Sequence, residues 1–170
     1  MEYPLEWYSP DEDSYTLVDV LKQENIKNSL IVDLGTSTGF ITKSLDKSNI
    51  IISTDLNIKA LHRQKIGNLI HMDLLDSIRQ DLVEIIIFNP PYVLDSSCPI
   101  IGGGVNGRNV IDRFIKQVEC KTFYLLVIEA NKPNEIIKEL ENKGYKIEIK
   151  KIRKILGETI IILKGILQLK

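Results

Sequence analysis

The stretch Leu30-Ile31-Val32-Asp33-Leu34-Gly35-Thr36-Ser37-Thr38-Gly39-Phe40 decides the fold of this chain. Its first five residues form a short apolar run that is typical of a buried β-strand, and residues 40–45 have the pattern of a short helix. The glycines between them let the backbone turn tightly and let a ligand approach the main chain. A strand, a glycine turn and a helix in this order indicate an open α/β sheet, whose ligands bind beyond the carboxyl ends of the strands.

The rest of the chain repeats this alternation. Ser9 or Asp11 can cap a first helix near Pro10, and further helical patterns cover 58–64, 110–118 and 133–142. Further buried-strand patterns are found at 50–55, 69–72, 85–88 and 123–128. Strands buried on both faces and separated by helices predict a doubly wound, mostly parallel sheet.

Two more strand patterns, 145–152 and 159–163, complete the chain without room for a helix between them, so they should form an antiparallel pair. A length of 170 residues argues for one domain. The sequence therefore predicts a single Rossmann-like α/β domain over residues 1–170, with a seven-stranded sheet and an antiparallel C-terminal strand. Residues 1–28 are predicted to be a helical segment that packs on the ligand site.

Composition narrows the class of protein. With 44% hydrophobic and 26% charged residues the chain is typical of a globular protein, and its net charge of −1 gives no general attraction to nucleic acid. No apolar run reaches the roughly 18 residues that span a bilayer, and Met1-Glu2-Tyr3-Pro4 does not resemble a signal peptide. Cys98 and Cys120 lack metal-binding spacing and are predicted to be reduced thiols. These features favour a cytoplasmic or nuclear protein without a membrane partner.

Acidic residues follow the next two predicted strands. Asp55 ends the second strand, where a carboxylate can accept hydrogen bonds from both ribose hydroxyls of an adenosine. Asp73 follows the third strand, where it could accept from an adenine amino group. The dinucleotide fingerprint would need glycine at Ser37 and Phe40, which argues against a pyrophosphate. Taken singly, the glycine turn could serve packing, Asp55 could cap a helix and Asp73 could be a turn residue; together they predict an adenosine site.

The motif Asn89-Pro90-Pro91-Tyr92, directly after the fourth strand, is the most specific feature of the chain. The nitrogen of an amide or of an adenine amino group is a weak nucleophile because its lone pair is delocalised. The Asn89 side-chain oxygen can accept one of its N–H bonds and the Pro90 carbonyl the other. These bonds strengthen as positive charge develops on the nitrogen, and Tyr92 offers a flat face for stacking. The alternative is a Pro-Pro turn that merely ends a strand.

Three local matches give the chain a family resemblance. They are Tyr8-Ser9-Pro10-Asp11-Glu12-Asp13-Ser14, Phe88-Asn89-Pro90-Pro91-Tyr92-Val93, and Gly103-Gly104-Val105-Asn106-Gly107-Arg108 running on to Asp112-Arg113-Phe114. On these residues the chain resembles the HemK-like class I methyltransferases, in particular the eukaryotic and archaeal branch that methylates the Gly-Gly-Gln glutamine of class I translation release factors. Ser14 stands where the family has threonine, Ser9 where it has glutamate, and Asp33 where this branch often has glutamate.

The resemblance implies a site that uses S-adenosylmethionine and no metal. The residues implied to grip the substrate amide are Asn89, Pro90, Pro91 and Tyr92. The residues implied to contact the cofactor are Pro10, Ser14, Asp33, Gly35, Thr36, Gly39, Asp55, Leu56, Asp73, Leu74 and Asn89.

The resemblance also implies two protein partners, a release factor as substrate and a small zinc-ribbon activator protein. The third predicted strand, Leu69-Ile70-His71-Met72, is apolar and would lie at a sheet edge, which invites pairing with another chain. The alternative is that a loop of this chain covers it. The glycine-rich loop 102–108 could form a flap over the substrate, with Arg108 steadying its backbone, or could be a plain solvent loop. The basic residues between 146 and 154 are expected to be a solvated face.

Rival functions share the same chemistry in part. An adenine-N6 methyltransferase handles the same kind of NH2 group, but such enzymes flip out a base and usually need an added recognition region. Lysine methylation is less natural, because an ammonium must first lose a proton. A non-catalytic cofactor-binding module would have no need of the Asn-Pro-Pro-Tyr motif.

Overall fold

The computed structural model describes residues 6–65, 67–98 and 100–168 of the chain. The residues that argue against a signal peptide, 1–4, lie outside this range. The helices are α1 (Glu12–Glu24), α2 (Phe40–Ser44), α3 (Ile58–Arg63), α4 (Asn109–Gln117) and α5 (Pro133–Asn142), with a single 3-10 turn at Glu129–Asn131. The strands are β1 (Leu30–Leu34), β2 (Ile50–Asp55), β3 (Asn68–His71), β4 (Ile85–Phe88), β5 (Thr122–Ile128), β6 (Tyr145–Ile155) and β7 (Glu158–Leu167).

The strands form one seven-stranded sheet in the order β3-β2-β1-β4-β5-β7-β6. The first five pair in parallel, whereas β7 runs antiparallel to both of its neighbours. This confirms the predicted mostly parallel sheet with an antiparallel C-terminal strand. β2 lies on one side of β1 and β4 lies on the other, so the order of the strands reverses at β1. In such a sheet a crevice opens beyond the carboxyl ends of the two strands at the reversal, here β1 and β4.

The two C-terminal strands are longer than the sequence predicts. They extend to Ile155 and Leu167, and their register slips at a bulge between Ile149 and Lys151. β6 is an edge strand, with Ile149 and Ile152 exposed beside its lysines. The C-terminal end of β6 therefore lacks the continuous apolar pattern by which a buried strand is recognised, so the sequence pattern ends before the strand does.

The core lies on both faces of the sheet. On one face four aromatic rings, Phe88, Phe114, Phe123 and Tyr145, pack in sequence with centroids 5.0–5.6 Å apart. Gly165 of β7 lies opposite Phe123, where a Cβ atom would come within 2.2 Å of the ring. On the other face α1 contributes Leu17, Val18, Val20 and Leu21. Cys98 and Cys120 are buried free thiols, as predicted.

Helix α1 is fixed to the sheet at its C-terminal end by Glu24. The Glu24 carboxylate accepts hydrogen bonds from the Tyr124 hydroxyl at 2.7 Å and from Lys164, and it forms an ion pair with Lys150 at 2.6 Å. These contacts tie the helix to β5, β6 and β7. Burial raises the pKa of Glu24, but hydrogen bonds from Lys150, Lys164 and Tyr124 outweigh this effect and lower the pKa to about 2.

Replacement of Glu24 by glutamine should therefore destabilise the fold in a pH-dependent way. The pKa of about 2 lies below the ordinary 4.5, so the ionised carboxylate stabilises the fold above pH 4.5, and this contribution is lost as the pH falls toward 2. We expect Glu24→Gln to lower the midpoint of thermal unfolding at pH 7 by roughly 3 °C or more. The difference from the parent chain should vanish near pH 2, as followed by circular dichroism. Asp19→Asn, at an exposed position of the same helix, is the control. An equal effect of both variants would contradict this role.

Candidate active site

The glycine turn after β1 forms one wall of the crevice. Gly35 has φ +66°, and a Cβ atom there would come within 3.3 Å of the Phe88 ring. A side chain at this position would be strained and would crowd the space between the ends of β1 and β4. Gly39 also has positive φ, but it is buried against Gln64, where a Cβ atom would come within 2.5 Å of Oε1. Gly35 therefore keeps the crevice open, whereas Gly39 allows close packing beneath the turn.

Asp33 lies at the bottom of the crevice and is fully buried. Its Oδ2 atom accepts hydrogen bonds from the Thr36 hydroxyl at 2.7 Å, the Thr42 hydroxyl at 2.6 Å and the Thr42 amide at 3.1 Å. Its Oδ1 atom is buried and has no partner among the described residues. Burial, which outweighs the hydrogen bonds, raises the pKa of Asp33 to about 6. The site thus holds a carboxylate oxygen that lacks a donor, while the Thr36 hydroxyl is directed inward.

Asp55, at the end of β2, connects the glycine turn to the start of α3. Its Oδ2 accepts from the Ser37 amide at 2.8 Å and its Oδ1 from the Asn57 amide at 2.7 Å. Burial raises the pKa of this carboxyl as well. The two acids repel each other, since the charge of Asp55 contributes to the raised pKa of Asp33. A cationic ligand in the crevice would relieve this repulsion.

The predicted adenine end of the site lies beyond β3. One oxygen of Asp73, Oδ2, forms an ion pair with Arg113 of α4 at 2.7 Å. Leu74 is buried and has φ +43°, a left-handed conformation that is costly for a residue other than glycine. Such backbone strain is often found at ligand sites. Leu56, another predicted cofactor residue, is 63% exposed after β2.

The Asn-Pro-Pro-Tyr motif lies at the end of β4, and its asparagine has one amide end bound and the other unpaired. Asn89 Nδ2 donates to Asp13 Oδ2 at 2.9 Å. Asn89 Oδ1 is buried and has no partner among the described residues. None of the described residues donates a hydrogen bond to the Pro90 carbonyl either. The motif therefore presents two acceptors, on consecutive residues, that none of the described residues uses.

Asp13 is the centre of this arrangement, and the sequence analysis did not include it among the site residues. It is 3% exposed and accepts from both Asn89 and the Tyr92 hydroxyl, the latter at 3.1 Å. Its other oxygen accepts from the Tyr8 hydroxyl at 2.6 Å and from the Ser14 amide at 2.5 Å. The available signal was a second acid beside the cap: Asp11 is the N-cap residue of α1, so the cap alone does not account for Asp13.

The predicted cofactor residues before and within α1 lie next to these contacts. The Ser14 hydroxyl donates to Asp13 Oδ1 at 3.2 Å, and Pro10 is half-buried just before the cap. The Tyr8 amide donates to Ser37 Oγ at 3.1 Å, and Ser37 Oγ donates to the Tyr8 carbonyl at 2.8 Å. The segment before α1 therefore crosses the glycine turn at the mouth of the crevice.

Part of the glycine-rich loop 102–108 supports the motif from behind, whereas a flap over the substrate stays a prediction. The Gly103 amide donates to the Val93 carbonyl at 2.8 Å, and a Cβ atom at Gly107 would come within 2.1 Å of the Tyr92 carbonyl oxygen. Asn131 Nδ2 donates to the same carbonyl at 2.9 Å. The sequence analysis missed this buried asparagine, which holds the main chain of the motif from behind.

Arg108 does not face the substrate, so the prediction that it steadies a substrate backbone is wrong. Its guanidinium is bound by three carboxylates, those of Asp112 at 2.8 Å, Glu135 at 2.9 Å and Glu139 at 2.7 Å. The side chain is buried and joins α4 to α5. A sequence pattern could not separate this role from substrate binding, because two of the three partners lie more than 25 residues away.

The chain is similar in sequence and fold to known methyltransferases. No family model matches the chain. A solved structure, the E. cuniculi Mtq2–Trm112 complex responsible for methylation of the eRF1 translation termination factor, shares 54% identity over 96% of this chain and 100% of its own, with a TM-score of 0.94. Human methyltransferase HEMK2 is 28% identical over 92% of this chain and 88% of its own. A Methanocaldococcus jannaschii protein named as a candidate protein N5-glutamine methyltransferase is 27% identical over 94% of this chain and 91% of its own.

The protein is a class I methyltransferase, as its sheet order, its glycine turn and the polar motif after β4 indicate. With 54% identity over nearly its whole length, the chain belongs to the HemK-like methyltransferase family. Within the described residues, no helix is long and apolar enough to cross a membrane, and no cluster of three or more His, Cys, Asp or Glu side chains is placed to hold a metal ion.

The raised pKa of Asp33 predicts that the site lowers the stability of the empty protein. The pKa of about 6 exceeds the ordinary 3.8, so ionisation is easier in the unfolded chain, and stability falls as the pH rises from about 4 to about 6. Asp33→Asn should therefore raise the thermal midpoint of the ligand-free chain at pH 8, and the gain should shrink as the pH is lowered toward 4. Calorimetry at both pH values tests this, with Asp19→Asn as the exposed control. A variant less stable than the parent at pH 8 would show that Asp33 is a purely structural acid.

Proposed function

We propose that this chain transfers a methyl group from S-adenosylmethionine to the side-chain amide nitrogen of the glutamine in the Gly-Gly-Gln motif of a class I translation release factor. The single observation that carries the chemistry is the unpaired Asn89 Oδ1 beside the unused Pro90 carbonyl. The substrate is supported by the 54% identity to the catalytic chain of a complex that methylates eRF1.

The substrate amide has two N–H bonds and a delocalised lone pair. Asn89 Oδ1 accepts one N–H and the Pro90 carbonyl accepts the other, so the face of the nitrogen turns toward the crevice. Both acceptors are held before the substrate arrives, Asn89 by Asp13 and the motif backbone by Asn131. They would stabilise the positive charge that develops on the nitrogen as the N–C bond forms and the methyl–sulfur bond breaks, which lowers the barrier without a strong base. The methylated nitrogen then releases one of its two protons to solvent. Tyr92, whose hydroxyl is fixed on Asp13, packs against the amide plane.

The crevice fits S-adenosylmethionine, which when bound supplies an electrophilic methyl carbon on a sulfonium. The unpaired Asp33 Oδ1 suits the ammonium group of its methionine part, since that oxygen is buried beside a second acid. Asp55 suits the ribose hydroxyls, and Asp73 and Leu74 suit the adenine. Gly35 allows close approach of the main chain. The remaining predicted cofactor contacts, at Pro10, Ser14, Thr36, Gly39, Leu56 and Asn89, stay predictions.

The direct test removes the acceptor at position 89. Asn89→Ala should abolish methyl transfer while leaving S-adenosylmethionine affinity within a few-fold of the parent chain, because its amide oxygen acts on the substrate. Isothermal titration gives the affinity, and mass spectrometry of the release factor locates the added methyl. The control is Asn134→Ala, at an exposed position of α5. Substantial turnover by Asn89→Ala, or a methyl on a residue other than the glutamine, would contradict the proposal.

We also propose that the chain works as the catalytic subunit of a heterodimer with a small zinc-ribbon activator protein, bound along β3. β3 is the terminal strand of the sheet, and most of its residues are exposed, including Ile70 at 39%. Exposed Ile50, Leu56 and Ile58 belong to the neighbouring β2 and α3 region. An uncovered apolar edge of this kind is suited to pairing with a strand of another chain. The Trm112 chain in the complex of the E. cuniculi relative supports this assignment.

The two edges of the sheet provide a matched test. Ile70→Lys on β3 should prevent formation of the heterodimer, because it places a charge in the proposed apolar interface. Ile152→Lys on the opposite edge strand, at 53% exposure, should leave the heterodimer intact. Co-purification and analytical ultracentrifugation measure the outcome. An effect of Ile152→Lys alone would place the partner on β6.

A release-factor substrate places the enzyme where translation ends. We therefore propose a cytoplasmic location, which fluorescence microscopy of a tagged chain would test.

A further inference from the structure

Asp11 is the N-cap residue of α1, whereas Asp13, in the first turn, accepts hydrogen bonds on both of its carboxylate oxygens. Its Oδ1 accepts from three donors, the Tyr8 hydroxyl, the Ser14 amide and the Ser14 hydroxyl. Its Oδ2 accepts from Asn89 Nδ2 and from the Tyr92 hydroxyl. Each oxygen therefore has a separate set of partners, and the set on Oδ2 consists of two side chains of the Asn-Pro-Pro-Tyr motif.

An asparagine amide has a donor end and an acceptor end that are nearly equal in size, so its shape alone does not orient it. A carboxylate can only accept hydrogen bonds, so the end of Asn89 that faces Asp13 must be Nδ2. The opposite end, Oδ1, is then the end left buried and unpaired. This end would meet the substrate, whose NH2 group offers only donors.

We propose that Asp13 is a positioning residue that selects the acceptor orientation of Asn89, and so makes the motif specific for an NH2 group. The inference rests on the proposed function for the identity of the substrate, but the orientation itself is a property of this chain. Asp13 does not contact the reacting atoms; it acts through Asn89.

The distribution of partners on Asp13 predicts the effect of changing it to asparagine. In Asp13→Asn the three donors at the Oδ1 position keep the new amide oxygen there, because the Ser14 amide can only donate. The new Nδ2 then faces Asn89 Nδ2, and two donors repel. Asn89 should turn over and present its own Nδ2 to the substrate, which is the wrong end for an NH2 group.

Exchange of the two residues restores the arrangement. In Asp13→Asn/Asn89→Asp, Nδ2 of the residue at 13 donates to one oxygen of the carboxylate at 89, and the other oxygen faces the substrate as an acceptor. In Asn89→Asp alone, two carboxylates face each other and must share a proton. Among the described residues, Tyr8, Tyr92 and Glu158 interact electrostatically with Asp13, and Asp11 interacts with Tyr8 and Glu158, so the pair has acidic neighbours.

The experiment measures methylation of the release factor by the heterodimer with each variant. We expect Asp13→Asn to reduce kcat by roughly 10²–10³-fold, the usual effect of losing one preorganised polar contact to a transition state. Asn89→Asp should be similarly impaired at pH 8 and should recover in part toward pH 6. The double variant should return to within about 10-fold of the parent kcat and lose this pH dependence. Cofactor affinity should be similar in all four proteins, and circular dichroism should show each of them folded at the assay temperature.

A second readout is independent of activity. In 15N-labelled protein the Asn89 side-chain NH2 should give a downfield, slowly exchanging proton that disappears in Asp13→Asn, and an equivalent signal from the residue at 13 should appear in the double variant. The inference is overturned if Asp13→Asn keeps its activity and this signal, or if the double variant is no better than the worse single variant. Failure of the parent enzyme to methylate the release factor would count against the proposed function alone, since the resonance would still report the orientation.

Discussion

The hydrogen bond between the Asp13 carboxylate and the Asn89 amide is the contact on which the candidate site depends. It joins the first turn of α1 to the carboxyl end of β4, across 76 positions of sequence. Every step of the proposed chemistry requires that Asn89 presents an oxygen, and this contact orients the amide. The Asp13 carboxylate is also held by Tyr8 and Ser14 and is buried, so its position relative to Asn89 is well defined.

The surrounding fold keeps this contact in place from several directions. Glu24 binds the C-terminal end of α1 to three strands, which fixes the helix to the sheet at the end opposite to Asp13. Asn131 and the packed glycine loop hold the main chain of the motif from the opposite side. The acceptors are therefore preorganised, and the cost of arranging them is met during folding and not during the reaction.

The crevice also contains buried acceptors that none of the described residues satisfies. They are Asp33 Oδ1 and Asn89 Oδ1, and burial raises the pKa of Asp33 to about 6. Unpaired buried acceptors lower the stability of a fold. Their concentration at the ends of β1 and β4 is the pattern expected of a site that exchanges stability for ligand binding.

The sequence by itself determined the elements, the position of the crevice and the reactive motif. Apolar patterns mark all seven strands, although β6 and β7 extend beyond the predicted ranges. The glycines after β1 and the polar motif after β4 lie at carboxyl strand ends wherever such a sheet forms. Only the tertiary structure decided the roles of Asp13, Arg108 and Asn131. Local pattern reports which residues are buried, but it does not report which distant side chain meets a given donor. The partner of Asn89 follows from how α1 lies across the sheet, and three carboxylates from two helices close around Arg108 only when α4 packs on α5.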